Sequence, residues 1–258
     1  MSAAKKEYTV EMDGSVAVVT IRRPATLNTL TYDMLLQFDE EWPRMSADDS
    51  VRAIVLTGEG DRGFCAGIDL STRDFSQPVP LPSLNYAEHW IARLQTCTKP
   101  TIAAVNGVAA GGGLGLALAC DIRIAEEHVR MGLPEAKRGK GAHFGNVILP
   151  RLIPSGIAFE MLYLGEYIDA AEAKHWGLVN RVVPKGGALA EAIRMAEAIA
   201  ENAPVTIRRM KETAVRANGL PMPVALRLNE GVSPYTSEDR VEGVRAYVEK
   251  RKPVWKGR

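Results

Sequence analysis

Cysteine is scarce in this chain of 258 residues, which contains only Cys65, Cys97 and Cys120. An odd number of cysteines without a Cys-x-x-Cys pair excludes a disulfide framework and favours reduced thiols in a cytoplasmic protein. Histidine is also sparse, and no two of the four residues have metal-ligand spacing. We therefore expect no metal site.

Positive and negative charges are nearly balanced, because the chain has 32 Lys and Arg residues and 31 Asp and Glu residues. A dedicated nucleic-acid binder needs surplus cations to displace counterions from phosphates, so we expect no nucleic-acid partner. Residues 101–119 form the most apolar stretch, but glycines and Asn106 interrupt it, which indicates buried core and not a membrane span. The first ten residues have no apolar segment behind Lys5 and Lys6, so we expect no secretory signal.

Strand and helix patterns alternate along the first half of the chain, which predicts an α/β fold. Residues 8–12 and 15–21 flank an Asp-Gly turn and predict a hairpin, and Thr31 is a candidate N-cap. Apolar runs at 53–57 and 101–105 predict buried strands, and residues 121–125 predict a third strand. The remaining predicted segments are a glycine-rich loop at 58–67, a surface loop at 71–82, and helices near 31–45, 84–96, 188–200, from Pro204 onward and near 237–250.

The last of these helices carries two further signals. Thr236 and Asp239 have the spacing of a capping box at its beginning. Val241, Val244 and Val248 recur at helical spacing and predict an apolar stripe. The whole region after about Gly145 is predicted to be mainly helical.

Two glycine-rich loops and one glutamate are the candidate chemical groups. Residues 111–115 follow a predicted strand and open a helix, so they either present backbone N–H groups to an anion or let the helix pack closely on the sheet. Residues 63–69 offer the same two alternatives. Glu135 is either a general base or a helix-start residue, and His143, eight positions later, is either a second polar group or a solvated side chain. The glycine cluster at 111–116 does not match the GxGxxG pattern, because its last position is Leu116, and the Walker A and GxSxG patterns are absent from the sequence.

Further motifs occur in a fixed order along almost the whole chain. They are LN at 27–28, VRAIVLTG at 51–58, GFCAGIDL at 63–70, KPTIAAVNG at 99–107, GGG at 111–113, ACDI at 119–122, GLPE at 132–135, WGLVNRVV at 176–183, EG at 242–243 and EKRKP at 249–253. In this order the motifs resemble those of the crotonase superfamily, the enoyl-CoA hydratase/isomerase family.

The resemblance implies a right-handed spiral of ββα units over residues 1–198 and a helical region over 199–258 that assembles trimers or pairs of trimers. It implies an acyl-CoA substrate, with coenzyme A as part of the substrate and no separate cofactor. The family's oxyanion donors correspond to the backbone N–H groups of Ile68 and Gly112, and its acid/base residue corresponds to Glu135. The coenzyme A path corresponds to Ala66, Ile68, Asp69, Leu70, Ser71 and Gly112.

One departure from the family pattern bears on the reaction. Family hydratases carry a second glutamate in a GGGxELA context, and this chain has Gly115 at the corresponding position of GGGLGLA. One carboxylate suffices for double-bond isomerisation, whereas addition of water normally needs a second group, for which His143 is a candidate. The alternatives are therefore a hydratase, an isomerase, or a non-catalytic acyl-CoA-binding paralogue. A nicotinamide oxidoreductase built around the glycine cluster is disfavoured, because that cluster lacks the dinucleotide-binding fingerprint.

Overall fold

The computed structural model describes residues 6–72, 90–229 and 231–258. The strands in these ranges are β1 (Tyr8–Asp13), β2 (Val16–Ile21), β3 (Ala53–Gly58), β4 (Gly63–Cys65), β5 (Thr101–Val105), β6 (Val108–Ala110), β7 (Ile122–Glu126), β8 (Arg130–Gly132), β9 (Tyr167–Asp169) and β10 (Arg181–Val183). The α-helices are α1 (Tyr32–Ala47), α2 (Trp90–Gln95), α3 (Gly112–Ala119), α4 (Phe144–Leu152), α5 (Ser155–Leu164), α6 (Ala170–His175), α7 (Ala188–Ala200), α8 (Pro204–Ala217), α9 (Met222–Ala225) and α10 (Glu238–Glu249).

The strands form two sheets, and successive units of the chain contribute one strand to each. The larger sheet has the order β1-β2-β3-β5-β7-β10 and the smaller one β4-β6-β8-β9. Only the β1–β2 hairpin and the β8–β9 pair are antiparallel among these neighbours. The alternation β3–β4, β5–β6 and β7–β8 between the sheets makes this a mixed α/β architecture built from repeated units.

The larger sheet is covered on both faces, as its continuous apolar strands predict. Alternate residues of β3 belong to two separate apolar clusters: Ile54 packs with the main core, and Val55 packs under α7. Helix α7 presents buried alanines to the sheet, and their small side chains allow helix and sheet to approach closely. The hairpin, α1 with its Thr31 N-cap, the buried strands, α7 and the start of α8 at Pro204 are confirmed.

Three-residue strands are the main difference from the sequence-based prediction. Strand β4 lies inside the segment predicted as a glycine-rich loop, and β9 and β10 lie in the region predicted as mainly helical. Such short strands contain too few residues to display a period, and they form because neighbouring strands pair with them. Most of the predicted loop at 71–82 and the first six residues of the predicted helix at 84–96 lie outside the described residues.

The predicted capping box of the C-terminal helix was wrong, and its predicted apolar stripe is exposed. Ser237 is the N-cap of α10, since its hydroxyl accepts the Arg240 N–H, while the Asp239 carboxylate accepts the backbone N–H groups of Lys256 and Gly257. The stripe of Val241, Val244 and Val248 is exposed, because no other part of the described chain packs against it. The proposed boundary after residue 198 falls inside α7, and that division, like the trimeric assembly, stays a prediction.

The smaller sheet determines where the candidate site lies. Strands β4, β6 and β8 are parallel neighbours, so their carboxyl ends meet at one edge. The segments that follow them are residues 66–71, the glycine cluster and the Leu133–Glu135 turn. Three loops from distant parts of the sequence are thereby brought together. No helix in the described ranges is long and apolar enough to cross a membrane.

Candidate active site

The loop after β4 is fixed by a short backbone pairing with residues 27–30. Ala66 N–H donates to the Leu27 carbonyl at 3.0 Å, Leu30 N–H to the Gly67 carbonyl at 2.8 Å, and Asp69 N–H to the Leu30 carbonyl at 2.8 Å. Successive N–H groups of an extended segment point to opposite sides. Because the Asp69 N–H points at Leu30, the Ile68 N–H points away from that segment.

The glycine cluster faces the other side of Ile68. A Cβ on Gly112 would lie 3.7 Å from the Ile68 Cγ1, and one on Gly67 would lie 3.3 Å from the Gly112 nitrogen. Gly67 has a φ of +95°, which only glycine adopts readily, and its missing side chain permits this close approach. The loops therefore meet backbone to backbone.

Both candidate oxyanion donors are unused within the described part of the chain. Gly112 is the first residue of α3, where a helix leaves its N–H groups without intrahelical partners. Neither the Gly112 N–H nor the Ile68 N–H donates a hydrogen bond to residues 6–72, 90–229 or 231–258. Two neighbouring free amides of this kind can bind the oxygen of a carbonyl group as it gains negative charge.

The other predicted substrate contacts have separate environments. Ala66 is half-buried, and Leu70 and Ser71 are exposed beside the loop. The Asp69 carboxylate is buried and accepts bonds from the Ser71 hydroxyl at 2.6 Å, the Ser71 N–H at 3.0 Å and Arg23 Nη2 at 2.8 Å. The Ser71 hydroxyl and then Arg23 hold the pKa of Asp69 below its usual value. Its side chain thus stabilises the loop that carries the Ile68 amide.

Glu135 lies against the glycine cluster. It belongs to a short 3₁₀ turn, Pro134–Arg138, in which Pro134 is the first residue. Its Oε1 lies 3.1 Å from the position of a Cβ on Gly111, whose φ of +55° and missing side chain leave room for the carboxyl group. Its Oε2 is buried and has no hydrogen-bond partner among the described residues.

The environment of Glu135 makes ionisation of its carboxyl group less favourable than in a glutamate exposed to water. Burial raises the pKa of its carboxyl group, and a hydrogen bond from its own backbone amide and the charges of Arg138 and Lys140 only partly oppose this effect. A raised pKa makes the ionised carboxyl group a stronger base, and its buried Oε2 has no partner among the described residues, so Glu135 can accept and return a proton. The site therefore contains an acid/base group beside two free amides.

Gly115 lies one helical turn after Gly111, on the same face of α3. Among residues 6–72, 90–229 and 231–258, the neighbour that a Cβ on Gly115 would meet is the terminal Cδ1 of Ile91, at 2.8 Å. Side chains on a helix lean toward its N-terminus, so a longer side chain at 115 would extend toward Gly111 and the Glu135 carboxyl group. Ile91, which is buried in α2, occupies that position with a methyl group.

His143 lies at the N-terminal end of α4 and is exposed. Its φ of +33° is unusual for a residue with a side chain, and its neighbour Gly145 packs against Leu133 two residues before Glu135. The loop therefore borders the site, but no hydrogen bond joins His143 to the buried Glu135 Oε2. A catalytic role for His143 stays a prediction.

Three residues that organise the site were not assigned a role from the sequence. Asn28 is fully buried, accepts the Arg23 N–H and donates to the carbonyls of Glu59 and Gly63, which fixes the entry to the loop. Arg23 holds Asp69, and Ile91 fills the space beside Gly115. Of these three residues, only Asn28 lies in a motif noted in the sequence, the LN at 27–28. Among the described residues no cluster of three or more His, Cys, Asp or Glu side chains could hold a metal ion.

Comparisons with known proteins identify the family of this chain. Residues 11–258 match the family model described as enoyl-CoA hydratase/isomerase. The chain is 38% identical to an (E)-benzylidenesuccinyl-CoA hydratase of Thauera aromatica, over 96% of this chain and 98% of that protein. It is 36% identical to a short-chain-enoyl-CoA hydratase of Clostridium acetobutylicum, over 94% and 95% of the two chains.

The fold agrees equally well with solved structures. A crystal structure of an enoyl-CoA hydratase from Bacillus anthracis superposes with a TM-score of 0.87 at 33% identity, covering 98% of this chain and 100% of that one. An enoyl-CoA hydratase from Mycobacterium tuberculosis gives a TM-score of 0.88 at 32% identity, with coverage of 98% and 100%. The chain belongs to the enoyl-CoA hydratase/isomerase family, within the crotonase superfamily of enzymes.

Proposed function

We propose that this enzyme acts on an acyl-CoA thioester and moves a 3-enoyl double bond to the 2-position, with Glu135 as its single proton carrier. The observation that carries the proposal is the arrangement around α3. The half-buried Glu135, whose Oε2 is buried without a partner in the described chain, lies beside the glycine cluster, and the position one turn further on has no side chain.

The first step removes a proton from the substrate. The thioester oxygen accepts hydrogen bonds from the Ile68 and Gly112 N–H groups, and the Glu135 carboxylate takes a proton from C2. The electrons of the broken C2–H bond move onto the carbonyl oxygen and form a dienolate. Each such donor contributes about 3 kcal/mol toward an oxyanion, so the two amides favour the dienolate strongly over the bound ground state.

The second step returns the proton at a different carbon. The protonated Glu135 donates to C4, the electrons of the oxyanion reform the carbonyl group, and the double bond now joins C2 and C3. Glu135 ends as the carboxylate from which it began. The reaction consumes no water and needs no oxidant, so one acid/base residue completes the cycle.

Hydration of a 2-enoyl thioester is the second candidate, because several relatives carry the name hydratase. Glu135 would then take a proton from water, and a second group would have to position that water or protonate C2. His143 is the side chain to test. If it acts, His143→Gln lowers the hydration rate about 10²-fold or more, and an unchanged rate removes it from the mechanism.

The test is to incubate the protein separately with 3-enoyl-CoA and 2-enoyl-CoA. We expect conjugated 2-enoyl product from the first and little water addition to the second. Hydration without isomerisation would contradict the proposal. Tight binding of both esters, with neither turnover nor exchange of the C2 proton in deuterated water, would instead support the non-catalytic alternative. Glu135→Ala should abolish whichever reaction is seen.

A further inference from the structure

A cavity lies between the core and the C-terminal helices and shares no lining residue with the candidate active site. Its core side is formed by residues just before two parallel strands, Arg52 before β3 and Lys99 before β5. Its other side is formed by the beginning of α8 and by the end of the chain, which contribute Arg208 and Lys256. Four basic side chains therefore surround one space.

The acidic charge lining the same space is smaller. Asp49 is the one carboxylate among the residues that line this cavity in the described chain. Arg208 pairs with Glu212 at 3.1 Å and Lys256 with Glu238 at 2.8 Å, but both of those carboxylates lie outside the lining. The charges of the cavity wall are thus unbalanced toward positive.

The two cations on the core side lack close partners. Arg52 Nη1 is buried and has no hydrogen-bond partner within the described ranges. The Lys99 ammonium forms neither a hydrogen bond nor an ion pair with residues 6–72, 90–229 or 231–258. Burial lowers the pKa of Lys99, and the nearby Arg208 and Arg52 add to this effect against the opposing charge of Asp49. Both side chains are half-buried, and withdrawing a cation from water without a partner is costly unless an anion reaches it.

The size and the polar lining of the cavity suit a small oxyanion. Its volume is about 80 Å³, whereas one water needs roughly 10–15 Å³ by the same measure. Thr98 and Asn202 add polar side chains to the wall. The first turn of α8, which has 14 residues and begins at Pro204, also lines the space and adds the positive end of a helix dipole.

We propose that this cavity binds a phosphate group, with Arg52 and Lys99 as its main ligands and Arg208 closing it from α8. A doubly charged tetrahedral anion would neutralise the two unpartnered cations and leave Asp49 at the rim. It would also link the core to α8, so its binding should hold the C-terminal helices against the sheet.

The experiment titrates the full-length protein with inorganic phosphate at constant ionic strength, maintained with sodium chloride, and follows binding by calorimetry. We expect one saturable site per chain, with Lys99→Met and Arg52→Met each weakening it at least tenfold. Lys185→Met is the matched control, because it removes one positive charge from an exposed pair with Asp61 and should leave binding unchanged. Should either Met variant fail to fold, Lys99→Gln and Arg52→Lys replace them, and Arg52→Lys should bind more weakly than wild type.

A coenzyme A titration identifies the source of the phosphate. If a phosphate of coenzyme A occupies the cavity, Lys99→Met weakens coenzyme A binding as well; if free phosphate does, only phosphate binding falls. Hydrogen exchange supplies a second readout, because phosphate should slow exchange in α8 of the wild type and not of Lys99→Met. Binding that chloride reproduces, or a Lys99→Met protein that binds phosphate like the wild type, would overturn the proposal.

Discussion

Installing a second carboxylate at position 115 should convert the proton shuttle into a hydratase. A Cβ at Gly115 would lie 2.8 Å from the Ile91 Cδ1, which is its one close neighbour in the described part of the chain. The double variant Ile91→Ala/Gly115→Glu removes that methyl group and places a carboxylate in part of the space. The new side chain would lean along α3 toward Gly111, where Oε1 of Glu135 lies. Two carboxyl groups could then hold one water between them.

The expected gain follows from what a positioned acid/base group contributes. Such a group is worth about 10²–10⁴ in rate, so we expect hydration of 2-enoyl-CoA to rise at least about 10²-fold. Isomerisation should fall, because a second carboxylate raises the pKa of Glu135 further and reduces its fraction in the basic form. Ile91→Ala alone should lower the free energy of unfolding by about 2–5 kcal/mol, as for other large-to-small changes in a core, without creating a hydratase.

The assay follows loss of the conjugated enoyl thioester and formation of the 3-hydroxyacyl product. Ile91→Ala/Gly115→Gln is the matched control, since it has nearly the same volume and no carboxylate. Equal hydration rates for the Glu and Gln variants would refute the reasoning that position 115 determines the type of reaction. Thermal denaturation of both variants confirms that they are folded at the assay temperature.

Three further perturbations test the surroundings of the site. Glu135 must be ionised to take the C2 proton, and its pKa is raised. The value of kcat/KM for isomerisation should therefore fall with decreasing pH, with a midpoint above the ordinary glutamate value of 4.5. A midpoint at or below that value would contradict the burial argument. Gly111→Ala should lower kcat about tenfold or more, because its Cβ would lie 3.1 Å from the Glu135 Oε1, on a backbone with positive φ, and would displace the carboxyl group. A rate assay compares this variant with the control Gly141→Ala, at an exposed glycine. Asp69→Asn should lower the free energy of unfolding by about 1–3 kcal/mol at pH 7. Because the pKa of Asp69 is lowered in the folded protein, the difference between variant and wild type is present above the ordinary aspartate pKa and disappears as the pH falls through the lowered pKa. Denaturant titrations at pH 7 and at a pH below the lowered pKa should show that the two stabilities converge.

The sequence allowed the larger elements to be predicted because their patterns are long enough to read. Helix α7 has 13 residues, and the predicted bounds match the observed ones. The three-residue strands β4 and β6 are not visible in the sequence, although they bring the two glycine loops together, because pairing between distant segments forms them. The exposed valines of α10 show the converse, since helical spacing indicates an apolar face without indicating what covers it.

Some features of the candidate site could be predicted from the sequence, and others depend on tertiary packing. Glu135 and the glycine loops could be singled out from ordered motifs, and the absence of a carboxylate at Gly115 is visible in the sequence. That Ile91 fills the space beside Gly115, and that Glu135 Oε2 is buried without a partner in the described chain, depend on packing between segments far apart in the sequence. No local pattern around residue 52 or 99 indicates that these two cations line one cavity.

The most direct test of the central claim, that Glu135 alone carries the proton, is exchange of the C2 hydrogen of a bound acyl-CoA in deuterated water. The wild type should incorporate deuterium at C2. Glu135→Gln, which keeps the shape of the side chain, should bind the same ester with similar affinity and exchange at least about 10²-fold more slowly. Exchange that continues at the wild-type rate in Glu135→Gln would contradict the account.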